Sequence, residues 1–380
     1  MNITTVSEST LLSTYHSVLI DVILILVFML GFKFGTAYLM VIMTKWFEDE
    51  PDSVRKKKPE QSQENHLQVP KYRKVGWLGF AALWILNGVI QFRPLMVIQS
   101  SGVLFQHSKQ VGPAWLLPLM HQSDVFFAQT PIWTNIGSAV IQLLIGIFML
   151  VWPEKLLGKI AIVLSLAFSL VTWVLWEGLG HLFHSGGTYF LGGPGAGILY
   201  FLAGLMLMAP MSWWENKSAS RVIRLGFTLF WLLCALWNAI PGNGFWSSSG
   251  IQAAYHQTIF APAGLEALHN SIMALYSSSP MLWNLIMVAV FLVLAVGTWF
   301  GFSSILFLTI SLIWFAFTWL FGQSLGMTGG FGLPVNSAPV LALLYLAGWW
   351  GARETQSLPS AEKTPSLNSG NARTTVDQRS

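Results

Sequence analysis

Nine apolar stretches divide this chain, most of them about 20 residues long, and no other feature restricts its fold as strongly. They lie at roughly 17–43, 76–94, 132–152, 158–181, 194–211, 222–241, 281–299, 302–323 and 338–351. A run of that length crosses the hydrocarbon core of a bilayer as one helix. Lipid offers backbone N–H and C=O groups no partners, and these runs lack the alternation of barrel strands, so helices are the expected solution. Hydrophobic residues make up 54% of the chain and charged residues 9%, which excludes water as the solvent for most of it. The expected class is an all-α polytopic membrane protein with about nine transmembrane helices.

The stretches after 75 read as two copies of one four-helix unit. His107 matches His256, Pro113-Ala114 matches Pro262-Ala263, and Pro131-x3-Asn135 matches Pro280-x3-Asn284, all 149 residues apart. Short insertions change the offset elsewhere. Asn87 is paired with Asn238, Glu177-Gly-Leu-Gly180 with Gln323-Ser-Leu-Gly326, and Tyr200–Gly204 with Leu344–Gly348. A repeat of this length is a subdomain. The expected organisation is an N-terminal helix (1–44), a polar cytoplasmic linker (45–75), repeat one (76–211), repeat two (222–351) and a disordered cytoplasmic tail (352–380). Four spans return the chain to its starting side, so the two repeats are expected to be parallel, about an axis along the membrane normal.

Basic residues set the expected orientation. Of 20 Lys and Arg, 17 fall on the side of the 45–75 linker and the tail, while Arg93 and Lys109 fall opposite and Lys33 lies within the first stretch. By the positive-inside rule that side is cytoplasmic, with the N-terminus outside and the C-terminus inside. The net charge of +4 is then a topology signal, and nucleic acid is not an expected partner. The segment MNITTVSEST has no basic n-region and does not read as a cleaved signal peptide. A single cysteine, Cys234, excludes an intrachain disulfide. Trp at span ends, Trp77, Trp115, Trp133 and Trp214 among them, read first as interfacial belts.

Histidine placement carries the strongest chemical signal. Seven of eight His fall on the expected outer side, and only His66 is in the linker. His107 and His256 recur at one repeat position. Glu177, His181 and His184 form E-x3-H-x2-H, which one continuing helix would present on a single face. A carboxylate and two imidazoles there suit a metal ion, a proton relay or the head group of a quinone. Amphipathic residues at headgroup level are the alternative reading. Repeat two has Gln323 where repeat one has Glu177, so such a site belongs to one half. Asn87, Gln91 and Arg93 end the second stretch and would complete a cofactor pocket with Gln323. The Asn residues serve equally as helix–helix glue. Gly/Pro-rich stretches precede the last span of each repeat, at Gly186–Gly197 and Gly329–Pro339, a pattern that points either to a site or to plain re-entry turns. No P-loop, dinucleotide fingerprint or zinc-protease motif is present.

The segment AVIQLLIGIFMLVWPEKLLGKIAIVLSL (Ala139–Leu166) resembles the second-to-third helix region of the DoxX-like family of four-helix membrane proteins. WEGLG…GGT…GGPGAGILY (Trp176–Tyr200) resembles bacterial multi-spanning proteins of unassigned function. The first resemblance implies a bacterial cytoplasmic membrane and a redox-linked role, because that family is associated with sulfur oxidation coupled to quinone. Three functional classes are therefore expected. The first is a redox-linked component holding a metal, haem or quinone around Glu177, His181 and His184, with His107 and His256 as further ligands. The second is a transporter or channel whose repeats rock about a polar centre. The third is a non-catalytic subunit or assembly factor that docks a membrane or extracytoplasmic protein.

Overall fold

The structure, a computed structural model, describes residues 12–21, 23, 69–94, 96–97, 112–153, 155–180, 182, 187–258, 266–323, 325 and 333–353. The described residues form helices and turns with no strand among them. After the helical residues 12–21 come α1 (Lys71–Gln91), α2 (Leu117–Gln129), α3 (Pro131–Val151) and α4 (Leu156–Val171). Next are α5 (Ala196–Met208), the short α6 (Met211–Glu215), α7 (Ser218–Ala239), α8 (Ser248–Thr258) and α9 (Glu266–Ser278). The chain ends on α10 (Pro280–Gly301), α11 (Ile305–Phe317) and α12 (Ser337–Arg353).

Helices occupy eight of the nine expected stretches, and the ninth, 17–43, lies almost wholly outside the described residues. Five described helices are long and apolar enough to cross a membrane: Pro131–Val151, Leu156–Trp176, Ser218–Ala239, Pro280–Gly301 and Ile305–Gly322. These apolar helices mark a membrane protein. The remaining three, α1, α5 and α12, either open on charged residues or are shorter. The segments between the stretches differ more from the sequence reading, because 95–131 and 242–280 contain the helices α2, α8 and α9.

Local chemistry explains where the helices start and stop. Proline at the first helical position opens both α3 and α10, where its missing N–H costs nothing and its fixed φ suits the helix. One turn later Asn135 and Asn284 point inward and are buried. α4 and α11 each end in a single π turn, Thr172–Trp176 and Thr318–Gly322. In both, the N–H of the residue that follows, Glu177 or Gln323, donates to the carbonyl of the threonine that opens the turn, at 2.9 Å. Leu179 and Leu325 then adopt left-handed backbone (φ 65° and 59°).

α1 crosses α3 closely and α7 crosses α10 closely. The first crossing is built on Gly88 and Gly146, and buried Ala235 and Ala295 stand at the matching positions of the second. α12 touches both α1 and α7. One apolar core therefore runs through both halves, from Phe80, Trp84 and Tyr200 to Phe227, Trp231, Phe291, Phe315 and Tyr345. Trp77 and Trp214 belong to this core rather than to a belt. Each is at most 3% exposed, and the Trp77 indole donates to the Met149 carbonyl at 2.8 Å. Trp115 and Trp133 are 70% and 66% exposed, as a belt requires.

Candidate functional site

Two turn segments meet at the end of the bundle where α4 and α11 finish. Each is pinned by the polar residue after its π turn. In the N-terminal half, the Gly197 N–H at the start of α5 donates to both carboxylate oxygens of Glu177, at 3.1 and 2.9 Å. In the C-terminal half, the Ala338 N–H at the start of α12 donates to Gln323 Oε1 at 3.1 Å. The indoles of Trp173 and Trp319 repeat the symmetry, donating to the carbonyls of Pro194 (2.8 Å) and Val335 (2.9 Å). Glu177 and Gln323 thus satisfy the free N–H groups of a buried helix start. They are 6% and 3% exposed.

Glycine is required where this clasp is tightest. At Gly180 (φ +64°) a Cβ would lie 1.5 Å from the Pro194 carbonyl oxygen. At Gly195 (φ +101°) it would lie 2.3 Å from Glu177 Oε2. Both positions need positive φ and close backbone approach, which only glycine supplies without strain.

The halves also cross over. The Val335 N–H donates to Asn87 Oδ1 at 2.8 Å, and Asn87 Nδ2 donates to the Tyr200 hydroxyl at 2.9 Å, so Asn87 of α1 holds the C-terminal turn. In return the N-terminal turn, 187–195, lies on α7. Asn238 Nδ2 donates to Thr188 Oγ1 at 3.1 Å, Gln323 Nε2 donates to the Tyr189 carbonyl at 3.3 Å, and the Tyr189 hydroxyl meets Thr318 Oγ1 at 3.2 Å.

These bonds revise one sequence pairing. Asn135 Nδ2 donates to the Gln91 carbonyl at 3.0 Å, and Asn284 Nδ2 donates to the Asn238 carbonyl at 2.9 Å. In these bonds Gln91, not Asn87, takes the role that Asn238 takes in the C-terminal half. Likewise the starts of α5 and α12 are 141 residues apart, three fewer than the offset read from Tyr200–Gly204 and Leu344–Gly348. Short motifs such as these align in sequence at several registers, and only hydrogen-bond partners fix one.

The expected site is therefore assembled in part. Asn87, Gln91, Glu177 and Gln323 are buried and hydrogen-bonded at one end of the bundle. Gln91 ties α1 to α3 through Asn135, as helix glue does, with a 2.6 Å bond from its Nε2 to Asn135 Oδ1. Arg93 is half-buried just beyond α1. His107, His181 and His184 lie outside the described residues, and of His256 only the backbone, in α8, is described. Among the described residues no three His, Cys, Asp or Glu gather at metal-binding range. His269 is 1% exposed and faces the Leu320 carbonyl at 3.3 Å, seating α9 on the second π turn.

Sequence reasoning missed a lateral cleft of about 240 Å³ between the 187–194 turn and α7. Gly193, Pro194, Tyr189 and Phe230 form its walls, Cys234 lies along it, and the Thr188–Asn238 pair closes its polar end. Leu233 and Leu236, 63% and 60% exposed, flank its mouth on the apolar side of α7. The Gly/Pro-rich Gly186–Gly197 stretch was the signal that pointed here. No family model, curated protein or solved structure matches this chain.

Proposed function

We propose that this protein is a redox-linked component of the bacterial cytoplasmic membrane. It binds a ring-headed, membrane-soluble molecule of the quinone class in the cleft between the 187–194 turn and α7. The frame is an N-terminal span followed by two parallel four-span repeats, with the clasp end outside. The recurring π turns, helix-start bonds and small-residue crossings support the repeat, and the distribution of Lys and Arg supports the orientation.

The cleft is the observation that carries the reading. An apolar cavity of about 150 Å³ accommodates benzene, and pockets for drug-sized ligands run to roughly 300–1,000 Å³. A cleft of about 240 Å³ therefore suits one substituted ring, with any tail left outside among the lipids. Leu233 and Leu236 would meet that tail, and the Thr188–Asn238 pair offers a hydrogen-bonding end to the ring. The metal reading stays with His107, His181, His184 and His256.

Two observations weigh between the alternatives. The halves share one aromatic core: Tyr189 of the N-terminal turn packs 5.3 Å from Trp231, which stacks on Phe291. This packed seam counts against two halves rocking about a polar centre. Glu177 makes the helix-start bond that Gln323 makes, so its position supports a structural role more than a catalytic one.

The test is thermal unfolding of the full chain in nanodiscs with a decyl-tailed benzoquinone. A ligand that binds only the folded state raises the unfolding midpoint with concentration. The expected result is a saturable rise in the wild type that Leu233→Trp, which fills the cleft mouth from an exposed position, removes. An equal rise in both proteins, or none in the wild type, rejects the cleft as the quinone site.

A further inference from the structure

We infer that α2 and α9 are a matched pair of interfacial helices that lie in the lipid leaflet at the Glu177 end of the bundle. Neither was expected as a helix, and neither is long or apolar enough to span. Yet they occupy equivalent places: Leu117–Gln129 and Glu266–Ser278 are separated by 149 residues at both ends, and each runs directly into a proline-initiated span.

One side of each helix is anchored to protein. Leu116 and Met120 pack with Leu179 against the first π turn. In α9, His269 faces the second π turn and Met273 packs against the α8 cluster of Phe245, Ile251 and Ala254. The anchoring residues differ between the copies, Met120 standing where α9 has His269.

What the copies share is exposed. Leu119 and Phe126, two turns apart on one face of α2, are 50% and 60% exposed. Their counterparts Leu268 and Leu275 are 38% and 52% exposed. The same heptad step leads on to Trp133 and Leu282, 66% and 55% exposed, in the first turns of α3 and α10. Non-helical Thr130 and Ser279 break the helix between each pair, so these residues carry exposed apolar surface past a turn onto helices that face lipid. No charged residue occupies these six positions. Exposed Gln122 and Ser271 border the stripe one turn along, and the exposed polar residues His121 in α2 and Asn270 in α9 lie on the far side from it.

Lipid is the occupant that this pattern fits. A single protein partner would meet one copy of the stripe, whereas a leaflet meets both at once. A helix with one flank on protein and an aromatic or aliphatic flank beside the span ends is placed as interfacial helices are. Because this inference uses neither the cleft nor its ligand, it stands or falls separately from the quinone reading.

The test is nitroxide scanning of the full-length chain in nanodiscs, on a Cys234→Ala background. Single cysteines replace Leu119, Phe126, Leu268 and Leu275, with His121 and Asn270 as polar references. All six side chains are exposed, so labelling leaves the anchored flanks intact. The expected result is a ratio of oxygen to water-soluble nickel-complex accessibility several-fold higher at the four apolar positions than at the two references. Nickel accessibility equal to that of the references places the stripes in water and overturns the inference. Low accessibility to both reagents means that protein covers them, a second copy or a partner, and overturns it equally. A lipid signature in one helix alone refutes the matched pair.

Discussion

At the scale of single residues, the Glu177–Gln323 pair carries the clearest lesson. In the sequence the two differ, and that difference marks Glu177 as a chemical centre. In the structure they do the same thing: each accepts from the first N–H groups of a helix, inside a π-turn frame of the same shape. An amide suffices at one site, so it should suffice at the other. Glu177→Gln is expected to leave the unfolding midpoint in detergent close to that of the wild type. Glu177→Ala should cost about 1–3 kcal/mol, the penalty for orphaning a buried donor. A large loss in Glu177→Gln would show that the carboxylate does more than hold α5.

His269 gives the pH prediction. Burial holds its imidazole below the ordinary value, with the Leu320 carbonyl only partly offsetting that. The unfolded chain therefore binds a proton that the folded chain resists. Its contribution to stability is intact above the ordinary histidine pKa of about 6.5 and is lost as the pH falls below it. His269→Met, which installs the residue that α2 carries at this place, should flatten the decline in unfolding midpoint between neutral and mildly acid pH. An unchanged slope would assign that decline to other groups.

At the scale of elements, the long helices were legible because lipid leaves a 20-residue apolar run little choice. Pro131 and Pro280, which the sequence marked only by their shared spacing, open α3 and α10. The helices before those prolines were not legible. α2 and α9 have 13 residues each and mix apolar with polar side chains, so a search for spanning runs passes over them. The π turns were invisible for another reason: they depend on the following residue finding the threonine carbonyl, which no local pattern announces. The crossing of α1 and α3 tests how far close packing matters. A Cβ on Gly88 would lie 2.7 Å from Leu143 Cγ and 2.9 Å from the Ala139 carbonyl oxygen. Gly88→Ala is expected to destabilise by about 1–3 kcal/mol, as overpacking does. Ala235→Gly, at the matching place in the α7–α10 crossing, should cost about 1 kcal/mol or less. Equal effects in chemical denaturation would contradict the close approach at Gly88.

At the scale of the whole molecule, the reciprocal holds matter most. Asn87 of α1 secures the turn before α12, and Asn238 of α7 secures the turn after α4. The matching motifs of the two halves were readable in the sequence, but this exchange was not, because it joins residues 248 positions apart. With one aromatic core crossing the halves, thermal unfolding should show a single transition, and Asn87→Ala should lower it without splitting it. Two separated transitions would mean that the halves are independent.

The cleft is the consequence of that exchange, since its two walls come from different halves. Native mass spectrometry of the full chain, released gently from membranes, addresses it directly. The expected result is one equivalent of a ring-headed lipophilic molecule on the wild type and its loss in Leu233→Trp at unchanged fold. A wild-type protein that retains its lipids yet carries no such molecule, or a Leu233→Trp protein that carries it undiminished, would contradict the account.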